Sequence, residues 1–301
     1  MMRVVKVCSI VLLAALAGSC AVSCSAQDWA KAMLAKSPRH GEFVTVAEAN
    51  GRKLQVWVVY PQVKAKAPVV VMIHEIFGLS DWAQEMADEL AGAGYIVVEP
   101  DLLSGLGPTA APASAGAPMD HDHMGQAGAG AAYVAAEPGG TSAFPDRNAT
   151  VRAVSSLPDA KVLGDLDAVA DYGKKLPSAD GKLYVAGFCW GGGKSFLFAT
   201  HRGDLSGAFV FYGPPPAADA MKTITAPVYG FYAGNDARIS ATIPQTVTDM
   251  KAAGKTYEPV TYDGAGHGFM RGGEAPDADA ADSAARAQGF RRLVTLLGGV
   301  R

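Results

Sequence analysis

The sequence predicts a single α/β domain built on a mostly parallel, doubly wound sheet with flanking helices. Three observations carry this expectation. Short apolar runs alternate with stretches of helical period from about residue 42 to residue 297. Two of those runs, Val69 to Ile73 and Tyr95 to Val98, have no polar residue interposed, as strands covered on both faces require. The composition, 49% hydrophobic and 18% charged, belongs to a globular chain, and no internal apolar run is long enough for a polytopic membrane protein. A net charge of −3 offers no basic surface for nucleic acid.

The chain begins with Arg3 and Lys6, then an apolar stretch from Val7 to Gly18, then small residues ending at Ala26. Residues 1–26 therefore read as a secretory signal peptide, cleaved after Ala26, with a single domain over 27–301. An uncleaved anchor helix, or a lipoprotein signal acylated at Cys20 or Cys24, are the alternatives. Export would remove Cys8, Cys20 and Cys24 and leave Cys189 as the lone thiol.

Glu42 to Ala47 and Leu54 to Tyr60 read as strands joined through Asn50-Gly51, a hairpin turn signal. Val69 to Ile73 is a buried strand. Asp81 to Ala91 is a helix with Trp82, Met86 and Leu90 on one face, ended by Gly92 and Gly94, and Tyr95 to Val98 is the next strand. An insertion then spans about 104–158. Over Ser104 to Ala143 it holds 8 Gly, 12 Ala and 4 Pro, and it reads as a mobile lid without a core of its own. Within it His121-Asp122-His123 could hold a metal only weakly, for want of further preorganised ligands, so no metal site is expected. Regular pattern resumes near Ala160, where Val162, Leu166, Val169 and Ala170 form a helical face. Strands follow at Leu183–Ala186, Ala208–Tyr212, Pro227–Tyr232 and Glu258–Tyr262, with helices at Gly191–Thr200, Ile243–Ala253 and Asp277–Leu297.

Gly187-Phe188-Cys189-Trp190-Gly191 falls between a predicted strand and a predicted helix. Gly-x-Cys-x-Gly in that setting fits a nucleophile elbow with a thiol in the nucleophile position. The helix beginning there would aim its amides and dipole at the sulfur and lower the thiol pKa. Asp236 and His267 each follow a later strand, in the order nucleophile, acid, base, and the topology brings both loops to the carboxyl edge of the sheet. His267 would take the thiol proton, and Asp236 would fix its tautomer.

These residues, with His74-Glu75-Ile76-Phe77-Gly78, Glu99-Pro100-Asp101-Leu102, Gly164-Asp165-Leu166 and His267-Gly268-Phe269, make the chain similar to the dienelactone hydrolase family of the α/β-hydrolase superfamily from about residue 40 to 298. The resemblance implies an α/β-hydrolase fold and a Cys-His-Asp triad of Cys189, His267 and Asp236. It also implies that Glu75 helps ionise the thiol when substrate binds. His74 departs from the Gln found in the best-known members.

The oxyanion hole would be the backbone N–H groups of Ile76 and Trp190. Arg271 matches an arginine that holds a substrate carboxylate, unless it pairs with Glu274 or Asp277. A second arginine would be Arg147 or Arg152. Phe77, Phe269 and Trp190 would line the acyl pocket, whereas Phe211 and Tyr212 read as strand core. The expectation is an exported, monomeric, cofactor-free hydrolase of small esters or lactones. The alternatives are another acyl substrate for the same triad, such as a simple ester or thioester, and a catalytically silent binding protein.

Overall fold

In a computed structural model, residues 27–48, 51–108, 133–135 and 139–298 are described. The predicted signal peptide, Cys20 and Cys24, Asn50 and the His121-Asp122-His123 triplet lie outside them. The chain opens with helix α1 (Asp28–Leu34), then β1 (His40–Ala47), β2 (Lys53–Tyr60), β3 (Ala67–Ile73), α2 (Asp81–Gly92) and β4 (Ile96–Pro100). After β5 (Leu106–Pro108) and β6 (Tyr133–Ala135) come α3 (Arg147–Ser155), α4 (Asp159–Lys175), β7 (Ala179–Phe188), α5 (Trp190–His201), β8 (Gly207–Phe211) and α6 (Ala218–Met221). The remainder is β9 (Val228–Ala233), α7 (Ala237–Ser240), α8 (Ile243–Ala252), β10 (Tyr257–Tyr262), α9 (Phe269–Gly272) and α10 (Ala280–Leu296).

Eight strands form one sheet in the order β1-β2-β4-β3-β7-β8-β9-β10. β1 and β2 pair antiparallel, as do β2 and β4, and all later pairs are parallel. The sequence explains the layering. Along β3, Val69, Val71 and Ile73 enter one core while Val70 and Met72 enter the other, the period-two alternation of a strand covered on both faces. One core takes the apolar faces of α3, α4 and α5, including Val154, Leu166 and Phe196. The other takes α2 and α10 through Trp82, Met86, Leu90 and Leu293. Among the described residues no helix is long and apolar enough to cross a membrane.

The insertion differs from its sequence reading. Its last third is structure. Asp146 caps α3 by accepting the Ala149 N–H at 2.8 Å. Phe144, Ala149, Ala153, Val154 and Leu157 are buried in the same core as α4. Ala149, Thr150, Ala153 and Val154 form the buried face of α3.

Candidate active site

The carboxyl ends of β3, β7, β8 and β9, with the loop after β10, meet at one edge of the sheet. There β7 turns abruptly into α5 at Cys189, whose φ of +56° lies in the left-handed region that non-glycine residues avoid. The turn is closed by contacts that leave no room for a side chain. A Cβ at Gly187 would sit 2.0 Å from the Gly191 carbonyl oxygen, and one at Gly191 would sit 2.4 Å from the carbonyl oxygens of Ile73 and His74. The Cys189 N–H donates to the Phe211 carbonyl at 3.0 Å, which ties the elbow to the end of β8.

His267 bridges the other two members. Its Nε2 lies 3.1 Å from Cys189 Sγ and its Nδ1 lies 2.5 Å from Asp236 Oδ2. Asp236 is nearly buried and has two tasks, because its Oδ1 also accepts the Ile239 N–H at the start of α7. That second bond holds the carboxylate in place for the imidazole.

The thiol is pushed up to about 11, first by burial and then by the negative charge of Glu75. The backbone N–H groups of Trp190 and Ile76 favour the thiolate and pull the other way, as does Arg238, without prevailing. The expectation of a lowered thiol pKa is therefore corrected. The amides are where the sequence put them, but desolvation and a buried carboxylate outweigh them, so the resting group is a neutral thiol.

Both carboxylate oxygens of Glu75 have partners. Its side chain is 3% exposed, its Oε2 accepts the Arg271 Nε–H at 2.8 Å, and its Oε1 accepts the Tyr212 hydroxyl at 3.4 Å. Arg271 thus pairs across the site, and Glu274 instead accepts from Trp82 Nε1 and from Arg286. The two candidate second arginines are now distinguished. The Arg147 guanidinium lies 3.8 Å from the Phe77 ring centroid, while Arg271 lies 5.2 Å from that ring. Arg152 is exposed further along α3. Phe77 and Arg147 line a cleft of about 410 Å³ with Leu79, Ser80, Gln84 and Thr141. A larger groove of about 660 Å³ between β1 and α4, lined by residues such as Glu48, Asp167 and Asp171, contains none of these groups.

Two aromatic assignments change. Phe269 is fully buried behind Tyr212, 5.2 Å between ring centroids, and offers no surface to a ligand. Tyr212 is more than strand core. It lies just past β8 at φ +41°, with its hydroxyl on Glu75 and its ring edge-on to His267 at 5.0 Å. Its phenol is held well above its usual range by burial and by Glu75, so it stays a donor. A positive φ at a tyrosine has no local sequence signal, and this residue could be found only in three dimensions. Phe211 is core as expected, stacked between Phe188 and Phe231. Trp190 stacks on the buried His74 ring at 5.8 Å. His74 Nδ1 hydrogen-bonds the Glu75 carbonyl at 2.7 Å, which requires Nδ1 to carry the proton, a bond that an amide side chain could equally donate.

Away from this edge, Glu85, Glu89 and Glu274 each bring a carboxylate oxygen within 4.8 Å of the others. Arg286 already bridges Glu89 and Glu274, and burial with its acidic neighbours pushes Glu85 up to about 9, so one of the three is a neutral acid at pH 7. That donor set suits an internal ion-pair network better than a cation.

A parallel sheet with a strained nucleophile-type elbow at its carboxyl edge, and an acid and a histidine on the following loops, is α/β-hydrolase architecture. The model of the dienelactone hydrolase family matches residues 54–300, and the chain belongs to that family of hydrolases. A Pseudomonas putida protein named carboxymethylenebutenolidase is 29% identical over 232 residues, covering 76% of this chain and 86% of that one. Among solved structures, a provisionally named dienelactone hydrolase from Klebsiella pneumoniae superposes with a TM-score of 0.66 at 24% identity, covering 86% of this chain and 98% of its own. A dienelactone hydrolase-like promiscuous phosphotriesterase from metagenomic libraries gives 0.63 at 20% identity, with coverage of 86% and 97%. At these identities the structural likenesses speak to the fold alone.

Proposed function

We propose that this hydrolase cleaves carboxylic esters or lactones through an acyl-enzyme on Cys189. The observation that carries the reading is His267, within hydrogen-bond reach of both Cys189 Sγ (3.1 Å) and Asp236 Oδ2 (2.5 Å). In the proposed cycle the thiol proton passes to His267 Nε2 as the sulfur attacks the carbonyl carbon. The carbonyl π pair moves to oxygen, and the oxyanion rests on the amides of Ile76 and Trp190, the two that favour negative charge at the sulfur. Collapse expels the alkoxy oxygen, which takes the proton from His267. Water, deprotonated by His267, then releases the carboxylic acid and restores the thiol.

A thiol near 11 needs help to ionise, and the ion pair beside it supplies a route. A substrate carboxylate competing for the Arg271 guanidinium would release Glu75, whose charge already bears on the thiol, as a second proton acceptor beside His267. Arg147, over the same Phe77 ring as Arg271, would be a second cation for such an anion. This favours carboxylate-bearing lactones over neutral esters. The assembled triad weighs against a silent binding protein.

The test is a panel of neutral esters, thioesters and carboxylate-bearing lactones assayed with wild type and Cys189→Ala. Hydrolysis that persists in the variant defeats the proposal. Export through residues 1–26 is part of the same reading, and N-terminal sequencing of protein recovered outside the cytoplasm should begin at Gln27.

A further inference from the structure

The chain returning from the insertion is bonded to the loop that carries the Ile76 amide, through a single side chain. Thr141 Oγ1 accepts the Leu79 N–H at 3.0 Å and donates to Asp101 Oδ1 at 2.9 Å, while the Thr141 N–H donates to Asp101 Oδ2 at 2.7 Å. Asp101 follows β4 directly and is nearly buried, and it also accepts the Leu103 N–H, so it is a fixed anchor. Thr141 lies so close to Gly78 that a Cβ there would stand 2.3 Å from Oγ1. The loop between is short. Its other end is held by His74 Nδ1 on the Glu75 carbonyl, an oxygen that also accepts the Gly78 N–H. Leu79 is 7% exposed, and removing the threonine hydroxyl would take away the hydrogen-bond partner of its amide.

We propose that Thr141 is a positioning residue for the oxyanion hole: its hydroxyl locks the 76–79 loop so that the Ile76 amide points at the reacting centre. This rests on the reading that Ile76 is an oxyanion donor. It makes the end of the insertion part of the catalytic frame. A loosened loop would leave the binding of the substrate carboxylate at Arg271 largely intact while weakening a bond that strengthens only as negative charge develops on oxygen.

The test compares Thr141→Val, which keeps the shape and removes the hydroxyl, with Thr141→Ser, which keeps the hydroxyl and removes the methyl. Two readouts are used, steady-state hydrolysis and the pH dependence of Cys189 alkylation by iodoacetamide, the latter followed on the Cys189 peptide by mass spectrometry. Thr141→Val should lower kcat on the order of tenfold with KM changed by less than about threefold. It should also slow alkylation at pH 9 by about threefold or more, because the Ile76 amide that stabilises the thiolate is no longer aimed at it. Thr141→Ser should restore both to within about twofold of wild type. Wild-type kcat and alkylation in Thr141→Val would overturn the proposal. So would a Thr141→Ser variant as impaired as Thr141→Val, since the methyl packing would then be what matters. Alkylation needs no substrate, so a failure of the ester or lactone assignment would show in the hydrolysis arm alone.

Discussion

Two amides favour the Cys189 thiolate, and the backbone that carries each is held in a different way. The Trp190 amide belongs to the elbow, where β7 stops and α5 starts within one residue and glycines at 187 and 191 permit backbone contacts a Cβ would forbid. Everything that places it lies within a few residues of the sulfur. The Ile76 amide sits on a loop that is tied both by local bonds and by partners far along the chain. It is held by His74 on one side and on the other by Thr141 and Asp101, side chains from distant parts of the chain. The local device is strained and stiff. The assembled device depends on long-range partners, Thr141 and Asp101. A hydrolase that needs one fixed nucleophile and one adjustable electrostatic partner can divide the work in this way.

The comparison can be broken most severely at the elbow. Gly191→Ala would drive a methyl to 2.4 Å from two carbonyl oxygens of β3 and the loop after it, so the sheet or the helix must shift. We expect a loss on the order of 3 kcal/mol or more in urea unfolding, with activity lost alongside. A stable, active Gly191→Ala would show that the elbow is not rigid.

Asp236→Asn should keep the fold but break the tautomer control of His267, lowering kcat by roughly 10³ to 10⁴ with little change in melting temperature. A loss of only a few-fold in kcat would mean that Asp236 serves α7 and little else.

Glu75→Gln separates charge from position. Removing the carboxylate removes one of the two influences that raise the thiol, so the Cys189 pKa should fall below about 11 and alkylation at pH 9 should become faster. Hydrolysis of a carboxylate-bearing lactone should become slower, because the released base is gone. In wild type the alkylation rate should climb with pH and show no plateau below about pH 10, as a thiol near 11 requires. Slower alkylation in Glu75→Gln would contradict the assigned charge effect.

Arg271→Met and Arg147→Met should differ in kind. Arg271 also neutralises buried Glu75, so its loss should raise KM for an anionic lactone by about tenfold or more and also disturb neutral esters. Arg147 touches only the Phe77 ring among the contacts described, and its loss should raise KM for the anion by about threefold and leave neutral esters unchanged. Equal effects on both substrates in Arg147→Met would mean that it props up Phe77 without reading charge.

The sequence was informative where the physics is local. Val69 to Ile73 and Tyr95 to Val98 announced buried strands because a sheet covered on both faces tolerates no polar residue there, and both lie in strands β3 and β4 or at their ends. Cys189 stood out because flanking glycines and a strand–helix junction are local requirements of a sharp turn. The parts that escaped depend on partners far along the chain. Helix α3 has only a short apolar face, Ala149, Ala153 and Val154, and its burial depends on a core shared with α4 and the sheet. Tyr212 became part of the site through an unusual φ and a contact with Glu75. The thiol pKa went the other way because a sequence shows the helix start but not the burial or the neighbouring carboxylate. Arg147 could be told from Arg152 only once it was found, like Arg271, over the Phe77 ring.

The central claim, that Cys189 carries the acyl group, is most directly tested by acid-quenching the wild-type protein during turnover of an activated ester and mapping the adduct by peptide mass spectrometry. The account predicts one acyl group, on the peptide containing Cys189, formed within the first turnover and absent from Cys189→Ala. An acyl group on any other residue, or turnover in Cys189→Ala at the wild-type rate, would contradict it.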